Sequence, residues 1–285
     1  MKIYKYCHPD RHDILKNLKI RFTYPSALND PFEMKPHFKS IASEGHLKSI
    51  FDNAFDDHCK KLYQKLSIKI KSIISLEELK NKLHDDMKSK NIDLISQFQS
   101  YTPTLIKSID SELNKNIGVL CLTEDEKNMR MWSLYAESHK GFVLEFNHEN
   151  IFFNRQKSNQ DELRFLRKVE YVEYRPSLNI FGTDGIKFFL TKSKDWSYEK
   201  EWRMIMPLKE ACEILSVEDE LIHLFEIPGE AIKSVIFGCN MQNTKKNEII
   251  QLIKNNNELH HIVVFQSKID EQTFGLNFDK LSIIN

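Results

Sequence analysis

The spacing of apolar residues changes along the first 35 residues, and each change predicts a different element. KIYKY alternates, RHDILKNLKI has apolar residues at helical spacing, and IRFTY alternates again. Side chains alternate faces along a strand and repeat about every 3.6 residues along a helix, so the pattern predicts strand, helix, strand. A turn follows in SALNDPFEM, where Pro31 disfavours a helical conformation at Asp30.

The segment from residue 41 to residue 116 has a helical pattern. DHCKKLYQKLSIKIKSII and SLEELKNKLHDDMKS are rich in lysine and have leucine and isoleucine at helical spacing. Ser75 precedes Glu78 by three residues, which is the spacing of a capping box. We therefore expect residues 41–116 to be a helical insertion outside the main sheet of a single α+β domain that spans residues 1–285.

Strand patterns return in the second half of the chain. They occur in IGVLCLT, HKGFVLEFN, KVEYVEY, the stretch from Ser197 to Leu208, LIHLFEI, SVIFG and HIVVFQ. Helices are predicted for EDEKNMRMWSLYAE, GIKFFLTKSK and TKKNEIIQLIKNN. The expected fold is therefore α+β, with a mixed, largely antiparallel sheet and flanking helices. Neither the dinucleotide fingerprint G-x-G-x-x-G nor a P-loop occurs, so neither type of nucleotide site is supported.

Composition narrows the classes of function. Lysine plus arginine and aspartate plus glutamate both number 41, so no net charge attracts the protein to nucleic acid or to an acidic membrane. The five cysteines are singly spaced and no histidine pair has metal-ligand spacing, so no metal is expected. The start lacks an apolar signal region and no apolar run approaches about 20 residues. We expect a cytoplasmic protein without membrane contact.

Three clusters combine polar and aromatic residues. LNDPFE contributes Asn29 and Asp30, which either stabilise the turn or lie at the rim of a cleft. In MWSLYAESHKGFVLEF, Trp132 and Tyr135 share a helical face, which faces either the core or the wall of a cleft.

The third cluster is DWSYEKEWRMIMPL. If a strand begins near Ser197, then Glu199, Glu201 and Arg203 share one face. One interpretation is an exposed ion pair that contributes little to stability. The other is a cleft from which the neighbouring aromatic residues exclude water, where a carboxylate needs a partner or a function. For a single site, several residues of the three clusters must converge on one cleft.

These clusters resemble the domain of unknown function 2971 family, which is widespread in bacteria. The resemblance rests on Lys5-Tyr6, the turn from Phe22 to Glu33, Trp132 to Gly141, Trp196 to Arg203, and the closing Phe274 to Leu276. It spans nearly the whole chain, although residues 41–116 are its least characteristic part. The family name implies no activity.

A weaker resemblance implies a mechanism. Glu199-x-Glu201 at the entry to a strand is similar to the E-x-E motif of ADP-ribosyltransferases, whose second glutamate stabilises a cationic ribose as NAD is cleaved. The opening strand, helix and strand are also similar to the start of the DNA-modifying branch of that superfamily. By this resemblance Glu201 is the catalytic carboxylate and Glu199 orients the acceptor. No Ser-Thr-Ser strand motif accompanies the glutamates.

The same resemblance implies the residues that contact NAD. Tyr6 and Arg21 are candidates for direct contacts, Asn29 and Asp30 for the rim, and Trp132 and Tyr135 for the wall. The basic residue of the first strands is left open among Lys5, His8 and Arg21.

The expected function is therefore an NAD-cleaving enzyme that transfers ADP-ribose to a macromolecule, either nucleic acid or protein. The resemblance implies a setting in phage defence or a toxin-like system. The alternative is a non-enzymatic module that senses a nucleotide and contacts a partner protein through the helical segment. A metal-dependent nuclease is the least supported function, because no carboxylate cluster has suitable spacing.

Overall fold

The structure is a computed structural model that describes residues 1–35, 37–40, 42–89, 96, 100–179, 186–218 and 220–282. The chain divides into two compact units. One comprises Met1–Lys35, Ser111–Arg175 and Ile186–Asn285, and the other comprises Pro36–Asp110 and Pro176–Gly185. None of the helices in the described part of the chain has the length and apolar character needed to span a bilayer.

Strands and helices alternate along the chain. The strands are β1 (Lys2–Cys7), β2 (Lys19–Phe22), β3 (His37–Ser40), β4 (Ile117–Thr123), β5 (Phe142–Asn147), β6 (Leu166–Lys168), β7 (Glu170–Val172), β8 (Ser177–Asn179), β9 (Thr191–Ser193), β10 (Glu201–Pro207), β11 (Glu213–Val217), β12 (Glu220–Glu226), β13 (Ile232–Phe237), β14 (Val263–Ile269) and β15 (Leu276–Lys280). The helices are α1 (Asp13–Asn17), α2 (Glu44–Lys65), α3 (Ile68–Lys71), α4 (Leu76–Ser89), α5 (Thr102–Asn116), α6 (Met129–Leu134), α7 (Lys187–Leu190) and α8 (Asn243–Asn255).

The main sheet lies in the first unit and has eight strands in the order β15-β14-β13-β5-β1-β4-β10-β6. Its strand pairs are antiparallel except for β13 and β14, which are parallel. A three-stranded sheet has the order β11-β12-β2, and β7 pairs with β9. These features confirm the α+β fold with a mixed, largely antiparallel sheet, whereas likeness to the ADP-ribosyltransferase fold stays a prediction.

Both faces of the central strand β1 are buried. Ile3 and Cys7 belong to the larger hydrophobic cluster, whereas Tyr4 and Tyr6 belong to a second cluster around Trp132. This division follows the alternation of side chains along a strand. The second face of β1 therefore carries the two tyrosines, which pack in the cluster around Trp132, and the candidate site lies on this side of the strand.

The second unit contains α2, α3, α4 and most of α5, together with the parallel pair of β3 and β8. At the start of α4, the Glu78 carboxylate accepts from Ser75 N at 2.7 Å and Glu78 N donates to Ser75 Oγ at 3.2 Å, as in a capping box. Residues 41, 90–95 and 97–99 of the proposed insertion lie outside the described residues. The organisation as a single domain with an insertion stays a prediction.

Several predicted elements differ from those in the structure. KVEYVEY divides between β6 and β7, which belong to different sheets, and only Lys187–Leu190 of GIKFFLTKSK is helical. Its residue 185 lies outside the described residues. Lys194–Glu199 is a 3-10 helix rather than the start of a strand. Lys200 ends this helix in a left-handed conformation, so β10 begins at Glu201 and Glu199 precedes the strand.

Candidate functional site

A pocket with a volume of about 260 Å³ opens where two neighbouring strands of the main sheet separate. β1 pairs with β5 along its whole length, but its pairing with β4 is limited to Tyr4 and Thr123. Nearer the start of β4, the backbone of Val119 pairs with Thr23 instead. The gap between β1 and β4 therefore becomes a pocket, which the segment after β2 borders.

Five charged side chains lie at this pocket and form the buried charge cluster: Glu33, Lys192, Glu199, Glu201 and Arg203. Each is at most 5% exposed, and all except Arg203 line the pocket directly. Charged groups are rarely buried unless they are paired, because desolvation disfavours them strongly. The cluster has three carboxylates and two cations.

The cations hold the carboxylates in fixed positions. Lys192 Nζ lies 2.6 Å from Glu199 Oε2 and 3.0 Å from Glu201 Oε2. Arg203 donates through Nε and Nη2 to the two oxygens of Glu201, at 2.8 and 2.9 Å. Its Nη2 also pairs with Glu33, and its Nη1 donates to the Phe189 carbonyl at 2.7 Å. This bidentate geometry fixes the orientation of the Glu201 carboxylate.

Burial and the neighbouring opposite charges shift the pKa values of the cluster in opposite directions. Burial raises the pKa of Glu201, although attraction to Lys192 opposes the rise. Burial lowers the pKa of Lys192, but the attraction of Glu201 and Glu199 outweighs it and the net shift is upward. Lys192 therefore stays protonated at neutral pH. When all three carboxylates are ionised, the cluster has one negative charge in excess.

Tyr135 links the first polar cluster of the sequence to the third. Its hydroxyl donates to Glu199 Oε1 at 2.6 Å and accepts from Asn29 Nδ2 at 2.9 Å. Burial and the bond to Glu199 raise the pKa of Tyr135, so the phenol keeps its proton. Tyr135 follows α6, whose first turn is capped by the side chain of Asn128. The Asn128 amide also donates to the Tyr198 carbonyl at 2.7 Å, which joins α6 to the 3-10 helix before β10.

Five of the eight residues predicted for the site line the pocket. They are Tyr6, Asn29, Tyr135, Glu199 and Glu201. The turn that carries Asn29 therefore lies beside the glutamates, as convergence on one site requires. The functional roles of these residues stay predictions.

The other three predicted residues lie outside the pocket lining. Trp132 has no exposed surface, and it packs edge-on behind Tyr6 with ring centroids 5.3 Å apart, so it is not a pocket wall. Asp30 is buried and accepts from Phe32 N at 2.9 Å. It therefore stabilises the turn, which was the alternative to a place at the rim of the cleft. Arg21 pairs with Glu220 in the three-stranded sheet. Among the basic candidates, Lys5 lines the pocket, whereas His8 lies 3.1 Å from Glu137.

Sequence reasoning missed Lys192 and Glu33. Lys192 lies in a segment predicted to be helical, but it belongs to β9, where it pairs with Tyr171 of β7. No local pattern marked it as part of the site. Glu33 is the last residue of LNDPFE. Its carboxylate lies in the same polar motif as Asn29 and Asp30, so it could have been predicted as a site residue from the sequence. Among the residues that the structure describes, no group of three or more His, Cys, Asp or Glu side chains is arranged to hold a metal ion.

Comparison with known proteins identifies one family. The sequence model of the family described as "Protein of unknown function (DUF2971)" matches residues 131–204, which include Trp132, Tyr135, Glu199 and Glu201. This match confirms the resemblance to that family. No curated protein and no solved structure matches the chain.

Proposed function

We propose that this protein cleaves the nicotinamide glycosidic bond of NAD and transfers ADP-ribose to a macromolecule, with the nicotinamide end in the pocket. One observation carries the proposal: two fixed carboxylates, Glu199 and Glu201, lie in a pocket that Tyr4, Tyr6 and Tyr135 also line. The nicotinamide ring of NAD is flat and positively charged. Aromatic rings and an excess of negative charge both favour such a ring.

The chemistry assigns different tasks to the two carboxylates. The bond between the ribose C1′ and the nicotinamide nitrogen breaks, and its electron pair leaves with neutral nicotinamide. The positive charge that develops on the ribose is stabilised by Glu201, which Arg203 holds in place so that little reorganisation is needed. A hydroxyl or amine of the acceptor then bonds to C1′, and Glu199 takes its proton.

The pocket accommodates only part of a dinucleotide. Its volume of about 260 Å³ is below the roughly 300–1,000 Å³ of pockets that hold drug-sized ligands. Lys5 lines the pocket, and the hydrogen bond of its Nζ is a long one of 3.4 Å to the Cys121 carbonyl. Since Lys5 has no carboxylate partner among the described residues, it is the cation assigned to the first phosphate of NAD.

A nucleotide-sensing module is the second candidate, and the pairing in the cluster favours it. Lys192 and Arg203 already neutralise most of the carboxylate charge, so the same residues suit binding without turnover. In this case the helical unit would contact a partner protein. A role in phage defence or in a toxin-like system is proposed for either candidate from the family resemblance alone.

NAD labelled separately in its nicotinamide and adenylate parts tests both candidates. The labelled NAD is incubated with the protein and with either nucleic acid or a protein extract. We expect nicotinamide release and transfer of the adenylate label. Glu201→Gln should reduce nicotinamide release by about 10²–10³, and Glu199→Gln should reduce transfer of the adenylate label by about 10²–10³. The control is Glu213→Gln, whose carboxylate pairs with Lys19 outside the pocket.

The outcomes separate the candidates. Saturable binding of NAD without release of nicotinamide supports the sensing module and overturns the enzyme. Nicotinamide release that Glu201→Gln retains overturns the role of Glu201, and transfer that Glu199→Gln retains overturns the role of Glu199. If NAD neither binds nor is cleaved, both candidates are wrong.

A further inference from the structure

A second cavity, of about 420 Å³, takes no part in the proposed reaction. Its lining includes Met129, His139, Cys239, Asn240 and Phe274. Two motifs of the family resemblance meet here, because His139 begins H-x-G and Phe274 begins the closing F-G-L.

Trp132 lies between the two cavities. One side of its ring packs edge-on against Tyr6, which lines the first pocket, and the ring is stacked with that of His139, which lines the second. The helix α6 also contributes Met131 to the first pocket and Met129 to the second. The second cavity is therefore a separate space that shares this helix.

Phe274 is fully exposed although its loop is held by many hydrogen bonds. The Asp270 carboxylate accepts from Gln272 N at 2.9 Å, from Thr273 N at 2.7 Å and from Thr273 Oγ1 at 3.0 Å. Hydrogen bonds from these backbone groups lower the pKa of Asp270 to about 2. The exposed ring on this hydrogen-bonded loop presents a flat apolar face on which another flat ring can stack.

His139, which lies in the lining of this cavity, is its candidate hydrogen-bond donor. Its Nδ1 is buried and has no hydrogen-bond partner among the described residues. A buried N–H without an acceptor is rarer in proteins than an unfilled acceptor, so we assign the ring proton to Nε2. Burial also lowers the pKa of His139, so the imidazole is neutral at pH 7. The indole of Trp132 supports the ring from behind, with centroids 5.8 Å apart and planes 6° from parallel.

We propose that this second cavity binds a nucleobase that stacks on Phe274 and accepts a hydrogen bond from His139 Nε2 through a ring nitrogen. Adenine and cytosine have such an unprotonated ring nitrogen. Uracil in a nucleoside lacks one, because its remaining ring nitrogen carries hydrogen. Asp270 and Glu271 lie in the lining and disfavour a phosphate there, so the base is the part recognised.

Titration of the intact protein with adenosine, cytidine and uridine, followed by calorimetry, tests the proposal. We expect adenosine and cytidine to bind saturably, and uridine to bind at least several-fold more weakly. Phe274→Ala should weaken adenosine binding by about ten-fold or more, and Phe274→Tyr should retain it. His139→Phe keeps a ring on Trp132 but removes the donor, so it should abolish the preference for adenosine over uridine. Leu134→Ala, at an exposed position of α6 outside both cavities, is the control.

Nucleobase binding in the second cavity does not depend on NAD cleavage in the first pocket. The same titration in Glu199→Gln tests the two activities separately. Adenosine binding that persists in that variant supports the second site whatever the activity of the first. Competition by NAD identifies a dinucleotide as the source of the base, whereas competition by single-stranded oligoadenylate identifies a nucleic acid. Absence of saturable adenosine binding at millimolar concentrations overturns the proposal. So does an unchanged affinity in Phe274→Ala, because replacing a fully exposed side chain leaves the fold intact.

Discussion

Glu201 is almost completely buried and has two cationic partners, Lys192 and Arg203. Burial and pairing together determine how much Glu201 contributes to the stability of the protein. Desolvating an ion pair offsets much of the attraction between its members, so such a pair adds little net stability compared with a well-packed apolar one. Breaking it is nevertheless expensive, since the remaining partner keeps its charge without compensation. The buried charge cluster is therefore better explained by a function than by stability.

Replacing Glu201 by glutamine tests this energetic role. The substitution preserves size but removes the charge that Lys192 and Arg203 share. We expect the free energy of unfolding, measured with urea, to fall by about 3–5 kcal/mol. Glu213→Gln, which breaks a more exposed pair with Lys19, should change it by no more than about 1 kcal/mol. Equal, small losses in both variants would contradict the buried pairing, and the activity of Glu201→Gln must be measured well below its melting temperature.

The turn after α6 is held in place because its backbone lies very close to the backbone that follows β13. Gly238 follows β13 and donates to the Gly141 carbonyl at 2.9 Å. A Cβ at Gly238 would lie 2.0 Å from the carbonyl oxygen of His139. Only glycine permits this approach, which places His139 beside the second cavity.

Gly238→Ala should therefore destabilise the protein by about 2 kcal/mol or more, because backbone atoms must move to accept the methyl group. Gly45→Ala is a matched control, since a Cβ at Gly45 in α2 has no neighbour within 4 Å. Alanine favours a helix over glycine, so Gly45→Ala should be neutral or stabilising by up to about 1 kcal/mol. Thermal melting of the two variants compares them directly. Similar melting temperatures would argue against the close contact at Gly238.

The short 3-10 helix Leu208–Glu210, which follows β10, carries a pH-sensitive contact. Arg164 donates to Glu210 at 3.1 and 2.6 Å, and Lys157 lies 2.7 Å from the same carboxylate. These bonds lower the pKa of Glu210 from 4.5 to about 2. Because the pKa is depressed in the folded state, the contact stabilises the protein above pH 4.5 and is lost as the pH falls towards 2.

Glu210→Gln should accordingly be less stable than the wild type at pH 6, by about 1 kcal/mol, because the pairs of Glu210 are partly exposed to solvent. The difference between the two proteins should shrink progressively between pH 4.5 and pH 2. Urea denaturation of both proteins across this range measures it. A difference that stays constant with pH would show that Glu210 is not ionised in contact with Arg164.

Over the whole molecule, the five cysteines differ in access. Cys7 and Cys59 are buried, Cys121 and Cys239 are partly buried, and Cys212 is exposed. Burial raises the pKa of Cys7 to about 11 and that of Cys121 well above its ordinary value. The thiolate is the reactive form, so these thiols react slowly.

In the native protein, a thiol reagent should therefore modify Cys212 first, with one fast equivalent at pH 8. Cys121 and Cys239 should follow slowly, and Cys7 and Cys59 should react only on unfolding. The time course of labelling, with peptide mass analysis, assigns each site. Cys212→Ser should abolish the fast phase, and a fast phase that survives would contradict the assignment.

The local pattern of apolar residues was sufficient to predict those strands and helices in which apolar residues are regularly spaced. IGVLCLT is strand β4 over its full length, and TKKNEIIQLIKNN closely matches α8, because burial of one face imposes a period on the sequence. The predictions were wrong where a segment changes partner or conformation within a few residues. KVEYVEY alternates throughout, yet two sheets divide it, and the 3-10 helix before β10 depends on the left-handed conformation of Lys200.

The α+β class, the family resemblance and five pocket residues were predictable from the amino-acid sequence: Tyr6, Asn29, Tyr135, Glu199 and Glu201. These residues stood out because polar and aromatic side chains occurred where packing or turn formation did not require them all. The three-dimensional fold was needed to show that β1 and β4 separate, that Lys192 and Glu33 join Arg203 around the glutamates, and that Arg21 and Trp132 lie elsewhere. Sheet order and register bring these side chains together over separations of more than 150 residues along the chain, and periodicity within one segment contains no information about such long-range pairing.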